Sequence, residues 1–504
     1  MIQSADDLLH ALYRRGVKLW PESGQLRFQA PKETLSAEVL HELRARKAEI
    51  VQLLEQSQLD KDARIQPRAH DGPVPLSPIQ LRFWQWSIES ESRASVRWGA
   101  FGVRVIGPLS TCHLRRSLEA VVQRHETLRT RIITVGGIPR QKIDAVGEYE
   151  FEVIDLSKSP MADLTGELAR LAGEFVTEKF DLAIGPLFAA KLFRLSGDEH
   201  VLVVALDHMI TDGASNVLLS RDIWTLYDQA VQGVPFSLPP MPLQFADYAI
   251  WQERTYDMWL KKHAGYWKGR FAGAPRMQLP VDNSSVETAS ASGALLEVAF
   301  GDALSTALRK FAQRERVLLP VVVLTAYVVV LSRWCNESDI VVGVVSNGRY
   351  RADLQNMIGF LAHHLPLRIK FEKEDRLIDL LRRVNLEFYA ACDHADGGQW
   401  PEFITECATE VVFNWTPSYW SKWSVHEPQE VGHGLRLEWY LLESIPLKFY
   451  PFFSDSPTGI VGTLTYQPDC FKLGQIEQFC CNMRRFAEEL AHHPFARVAS
   501  ILTK

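Results

Sequence analysis

VLVVALDHMITDGASNVLLSRDIW, Val201 to Trp224, sets six apolar residues ahead of a short turn and an amphipathic run. Val201–Leu206 reads as a buried strand, and a helix is expected from about Ala214. His208 then stands at the strand exit, on a turn that also holds Asp212 and Gly213. A junction of this kind can fix a histidine at the floor of a cleft while leaving one ring nitrogen free. Imidazole is the side chain best matched to proton transfer near neutrality. Asp212 could orient the loop through a buried ion pair, and Gly213 would let backbone approach closely. A histidine after a strand is also commonly a satisfied core residue, and HxxxD recurs by chance, so the segment alone leaves both readings open. No metal site is expected, because His208 and Asp212 have no third ligand at suitable spacing.

Outward from this segment the chain is mixed α and β. Phe101–Val105, Lys191–Leu195 and Val201–Leu206 read as strands; Thr111–His125, Met161–Lys179 and Ala214–Val231 carry helical periodicity. SLPPMPL (Ser237–Leu243) and the polar stretch Pro280–Gly293 separate a first half from a second. The second half again opens with a strand, Leu295–Phe300, then a helix, Ala303–Arg314. This similar order predicts paired lobes, bounded at 74–270 and 271–504. Val317–Leu331 is short for a membrane span and broken by Pro320 and Thr325, so a buried helix is expected.

The first 57 residues form a separate miniature unit. Leu8, Leu9, Leu12 and Tyr13 recur at helical spacing, and alternating residues flank a turn at Pro21–Gly24. Ser36 can cap a second helix with Leu40, Leu43, Ile50 and Leu54 on one face. Residues 58–73 are polar and aperiodic, a linker.

Composition narrows the function. The 504 residues carry a net charge of -6, which argues against nucleic-acid binding. Seven cysteines, none in a CxxC pair, fit idle thiols in a reducing compartment. The N-terminus carries acids and an amphipathic pattern in place of an apolar signal core, so a soluble cytoplasmic protein is expected, with no membrane partner.

The HxxxDG after a strand resembles the HHxxxDG signature of nonribosomal peptide synthetase condensation domains. LSPIQLRFW (Leu76–Trp84) and RHETLRTRI (Arg124–Ile132) are similar to the family's opening motifs, and FDLAIGPLF (Phe180–Phe188) to the segment before its active-site strand. LQFADYAIWQ (Leu243–Gln252), IVVGVVSNGR (Ile340–Arg349), IGFLAHHLPLR (Ile358–Arg368) and LTYQPDCF (Leu464–Phe471) follow in the family's order. Residues 1–57 resemble the β-hairpin, TubC-like docking domains of assembly-line enzymes.

The resemblance implies an α+β fold: a small αββα docking domain, then a two-lobed, pseudo-dimeric body like chloramphenicol acetyltransferase, arranged around a tunnel. It implies an acyltransferase moving an acyl chain from the phosphopantetheine thioester of a carrier protein to an amine or hydroxyl, with no cofactor of its own. His208 would deprotonate or orient the nucleophile. Gly213 would present a backbone N–H to the developing oxyanion, worth about 3 kcal/mol. Asp212 would be structural, with Arg349 as its ion-pair partner. The hairpin would bind a short C-terminal segment of an upstream acyl carrier protein by strand addition, with Lys18, Arg27 and Lys32 favouring an acidic tail. The acceptor would be a small molecule or a downstream carrier. No adenylation, carrier or thioesterase segment follows the condensation body, so the donor is expected in trans. The arrangement resembles stand-alone chain-releasing enzymes of the enacyloxin type.

Several residues depart from the family pattern. Asp207 stands where the first His is usual, so DHMITDGAS also fits the DxxxxDxxS pattern of heterocyclisation domains through Asp207, Asp212 and Ser215. Those domains lack a His between the acids, whereas this chain keeps His208; a local hydrogen-bonding role would also explain Asp207. Tyr450 replaces an acid in LKFYPFF. His363 and His364 stand where Asn-Thr is usual, and are expected to pack or line a rim. Asn414 and Trp415 could line the acceptor side. A non-catalytic recruitment module of the same fold, or a coenzyme A-dependent acyltransferase, are the rival readings.

Overall fold

The computed structural model describes residues 8–9, 12, 17–22, 25–29, 37–51, 64–69, 71–89, 98–160, 163–178, 180–281, 293–395, 411–416, 429–440, 448–456 and 459–502. At the N-terminus β1 (Lys18–Glu22) pairs antiparallel with β2 (Gln25–Gln29), and α1 (Ala37–Ala45) follows. Leu8, Leu9, Leu12, Val17, Leu19, Leu43 and Ile50 form its small core. The turn is tighter than expected: Pro21 pairs with Leu26 inside the ladder. A two-stranded sheet has only edge strands, which tolerate proline. Tyr13, Ser36 and Leu54 lie outside the described residues. From the polar stretch after this unit, residues 64–69 are described and anchored. Ile65 is buried with Leu243 and Phe245. Arg68 grips Glu126 through two bonds of 2.7 and 2.8 Å, and its backbone N–H donates to Asp247 at 2.9 Å.

The first lobe runs β3 (Val74–Pro75), α2 (Pro78–Glu89), β4 (Trp98–Ile106), α3 (Thr111–Arg124), β5 (Thr130–Val135), β6 (Ile138–Ile143), β7 (Glu150–Asp155), α4 (Leu164–Thr177), β8 (Phe188–Arg194), β9 (Glu199–Asp207), α5 (Gly213–Gln232) and α6 (Phe245–Phe271). Within it, β9 lies between β4 and β8, antiparallel to both. Its side chains alternate between two cores. Leu202, Val204 and Leu206 face the cluster that holds Leu118, Leu219 and Ile223 of α3 and α5. Val201, Val203 and Ala205 face Leu168 and Phe175 of α4. A strand covered on both faces needs an unbroken apolar run, which is what the sequence supplies.

The second lobe runs β10 (Ala294–Ala299), α7 (Asp302–Glu315), α8 (Leu319–Cys335), β11 (Asp339–Ser346), β12 (His363–Lys370), α9 (Leu377–His394), β13 (Val412–Thr416), β14 (Gln429–Val431), β15 (Leu435–Tyr440), β16 (Phe449–Ser456), β17 (Gly459–Tyr466), α10 (Leu473–His492) and α11 (Val498–Leu502). Its sheet has the order β10-β17-β16-β13-β11-β12. α8 is buried along Val321–Ser332 and forms the centre of the lobe's core. Among the described residues no single helix is long and apolar enough to cross a membrane. One feature was not legible in the sequence: β14 and β15 extend the first lobe's sheet, giving the order β14-β15-β4-β9-β8-β7. Arg436 lies opposite Ile106 and Tyr440 opposite Gly102.

Beyond β11 the chain turns at Gly348, whose φ is +67°, and a Cβ there would sit 2.0 Å from the Leu361 carbonyl oxygen. The turn thereby holds the exit of β11 against the approach to β12. Gly348→Ala should therefore cost more than the roughly 1–2 kcal/mol of a left-handed backbone alone. Gly136→Ala, at φ +59° with nothing within 4 Å, is the comparison. Chemical denaturation should show the larger loss at Gly348; equal losses would contradict this packing.

Candidate active site

After β9 the chain makes a single 3-10 turn, His208–Ile210, before α5. Asp207 caps that turn, its Oδ1 accepting the Met209 N–H at 2.9 Å. The Met209 carbonyl accepts from Gln80 Nε2 of α2 at 2.7 Å, and the Ile210 carbonyl from Thr127 Oγ1 at 3.0 Å. The backbone under His208 is thus fixed from two sides.

His208 is deep but, as a residue, not fully buried. Phe360 lies 4.4 Å and Phe83 5.6 Å from it, ring centre to ring centre. Its Nδ1 is buried without a well-formed hydrogen bond, so Nε2 is the nitrogen with access. Burial lowers the ring's pKa below 6.5; the backbone of His208 itself, the Asp212 charge and the Thr211 backbone offset this in part. A ring so placed is neutral at pH 7 and able to accept a proton.

Asp212 is the N-cap of α5, with Oδ1 accepting the Ser215 N–H at 2.7 Å. Arg349 meets it through two bonds, 3.0 Å to Oδ2 and 3.1 Å to Oδ1. Oδ2 also accepts the N–H groups of Leu361 and Ala362 at 3.0 and 2.9 Å. Both ionic side chains are fully buried. Burial alone would raise the carboxyl's pKa, but Arg349 and the Ser215 bonds hold it below the usual value. Ser215 is equally committed: its Oγ donates to the Gly359 carbonyl at 2.9 Å and accepts from the Gly359 N–H at 3.0 Å and Arg349 at 2.8 Å. Asp212, Ser215 and Arg349 therefore tie the His208 turn of the first lobe to residues 347–362 of the second.

Gly213 opens α5 and is exposed. Apart from its chain neighbours and its own helix backbone, no atom lies within 4 Å of where its Cβ would be. Among the described residues its N–H has no acceptor, as is normal for the first turn of a helix. Arg27 is exposed on β2; the side chain of Lys18 and the whole of Lys32 lie outside the described residues. Asn414 Nδ2 donates to the Tyr450 hydroxyl at 2.8 Å, and burial pushes that phenol up to about 12. Among the described residues no group of three or more potential ligands could hold a metal.

The sequence pattern did not mark Phe83 or Phe360 as neighbours of His208, and gave His364 only a packing or rim role. Phe83 and Phe360 lie inside family-like motifs but carry no distinguishing chemistry. His364 is partly buried, and the charges of His208 and Arg82 act on it. His363 beside it is buried, with Nε2 on the Tyr350 hydroxyl and Nδ1 3.2 Å from the Leu361 carbonyl.

Similarity to known proteins agrees with this geometry. Residues 70–400 match the condensation domain family, and residues 6–56 match the TubC N-terminal docking domain. The chain belongs to the condensation-domain family. It is 34% identical over 351 residues to phosphinothricin tripeptide synthetase PhsC of Streptomyces viridochromogenes, covering 69% of this chain and 32% of that protein. It is 26% identical over 462 residues to tyrocidine synthase 3 of Brevibacillus parabrevis, covering 90% of this chain and 7% of that protein. The chain thus spans a third or less of these curated relatives. Among solved structures, the X-domain from teicoplanin biosynthesis superposes with a TM-score of 0.73 at 24% identity, covering 86% of this chain and 98% of that one. The first condensation domain of the calcium-dependent antibiotic synthetase gives 0.71 at 20%, covering 85% and 98%. The body accordingly has the two-lobed, chloramphenicol-acetyltransferase-like condensation fold, preceded by a docking domain. The family to which it belongs carries out condensation by acyl transfer in nonribosomal peptide synthesis.

Arg349→Met should strand a buried carboxylate and cost about 3–5 kcal/mol at pH 7. Because Asp212's pKa is lowered in the fold, its stabilisation is full above the unfolded value of about 3.9 and is lost as pH falls through the folded one. Denaturation at pH 7 and pH 3 should show the Arg349→Met deficit shrinking in acid. A deficit independent of pH would contradict the ion-pair account.

Proposed function

We propose that this chain transfers an acyl group from the phosphopantetheine thioester of a partner carrier protein to the amine or hydroxyl of an acceptor, with His208 as general base. The observation that carries this reading is the accessible Nε2 of His208 on a turn fixed by Asp207, Gln80 and Thr127, five residues ahead of Gly213, where α5 begins. The acceptor's proton passes to Nε2 as its heteroatom attacks the thioester carbon. The oxyanion that forms is met by the Gly213 N–H, and collapse expels the thiolate, which takes the proton back from His208. Oxygen or nitrogen replaces sulfur on the acyl carbon, so the product is an ester or an amide. Asp212, Ser215 and Arg349 hold this geometry and take no proton. Asp207 supports the turn from beneath.

The donor reaches the site in trans. Among the described residues the β1–β2 sheet has two strands, so a carrier's C-terminal segment can add a third. Arg27 and Phe28, the latter 48% exposed, offer it a cation and an apolar contact. Such tethering raises the local donor concentration and suits chain release onto a free acceptor or a downstream carrier. The setting is cytoplasmic. Heterocyclisation is disfavoured, because both carboxylate oxygens of Asp212 and the Ser215 hydroxyl are already consumed by structural bonds.

His208→Ala should abolish product formation, read by intact mass of an acyl-loaded carrier bearing its native tail, while binding of that tail persists. Undiminished turnover would remove the general-base role, and would favour a recruitment module. The lowered pKa of His208 also predicts activity persisting below pH 6.5, and falling only as pH drops through the folded value. Half-loss at or above pH 6.5 in a rate profile would be incompatible with it.

A further inference from the structure

We propose that His364 is a second imidazole of the reaction site, a hydrogen-bonding partner for the acceptor's hydroxyl or amine across from His208. This rests on the acyl-transfer reading above.

Two consecutive histidines open β12, and successive strand side chains point to opposite faces. The first is spent: His363 has both ring nitrogens against protein groups, the Tyr350 hydroxyl and the Leu361 carbonyl. His364 is different. It is only partly buried, and among the described residues neither ring nitrogen has a hydrogen-bond partner or is sealed from access. Its position is set by β11, where Val345 is its register partner. The chain leading into it is the one wrapped around the His208 turn. Phe360 lies 4.4 Å from the His208 ring, and Leu361 and Ala362 donate to Asp212. From the other side, α2 brings Phe83 against both His208 and Phe360, with Arg82 next to it in sequence.

The electrostatics fit a binding role and not that of a competing base. Burial first, then the charges of His208 and Arg82, lower His364 to about 4. The groups acting on His208 are Asp212 and the backbone of His208 and Thr211, with Arg349 neutralising Asp212 from behind. Burial is the main cause that keeps both rings neutral near pH 7, and a proton on His208 further disfavours one on His364. A neutral imidazole donates one hydrogen bond and accepts another. It can accept the second N–H of an amine, or donate to the spare lone pair of a hydroxyl, while His208 removes the other proton. No net proton moves through His364.

The test uses the full chain with octanoyl-pantetheine as donor and hexylamine or hexanol as acceptor, beside histidine-resolved NMR titration of isotopically labelled protein. His364→Ala should raise the acceptor KM by roughly tenfold, about the loss of one hydrogen bond, with kcat changed far less. His364→Gln, which keeps a donor and an acceptor, should recover most of the loss. In the titration, His208→Asn should move His364 upward from about 4, because the repelling charge is gone. A His364 titration unmoved by His208→Asn overturns the inference, and so does an acceptor KM unmoved by His364→Ala. Failure of the acyl-transfer reading has a separate signature, His208→Ala turning over at the wild-type rate.

Discussion

Five hydrogen bonds converge on the carboxylate of Asp212, from Arg349 twice and from the N–H groups of Ser215, Leu361 and Ala362. Three of these donor residues share the task across a boundary, since Arg349, Leu361 and Ala362 belong to the second lobe while the carboxylate caps a helix of the first. A charge taken this far out of water is tolerable only when it is paired and its lone pairs are filled. The His208 turn lies four residues upstream, so its placement relative to the second lobe is inherited from this one buried pair. The rest of the site follows from that constraint: Phe360 reaches the imidazole because Leu361 and Ala362 are held to Asp212.

This division of labour explains why residues that look reactive are not used as such. Asp212 and Ser215 have acid and hydroxyl groups beside a histidine, the raw material of a relay, but every oxygen is engaged across the lobe boundary. His208 is the inverse case. Aromatic neighbours give it shape and low polarity without consuming Nε2. Burial then keeps the ring neutral, which is the state a proton acceptor needs.

Much of this could be read in the sequence because local pattern dictated it. Six apolar residues before a turn read as a covered strand, and β9 is covered on both faces. The helix expected from Ala214 to Val231 spans Gly213–Gln232, and the apolar Val317–Leu331 run falls, from Leu319 on, in the buried helix Leu319–Cys335. What could not be read depends on contacts between distant segments. β14 and β15 carry no mark showing that they join the sheet of the other lobe. His363 and His364 are identical in sequence terms, and only the strand's alternation separates a locked ring from an open one. Gly213 is also not decided by its type: outside its own turn of helix nothing lies within 4 Å of where its Cβ would be.

The most direct test is a structure of the chain bound to its carrier, loaded with an acyl-pantetheine analogue whose thioester cannot be cleaved. The carbonyl carbon is predicted to lie between His208 Nε2 and the Gly213 N–H, with its oxygen toward that N–H. A carbonyl seated elsewhere, with the His208 ring turned away from the acyl chain, would contradict the general-base role.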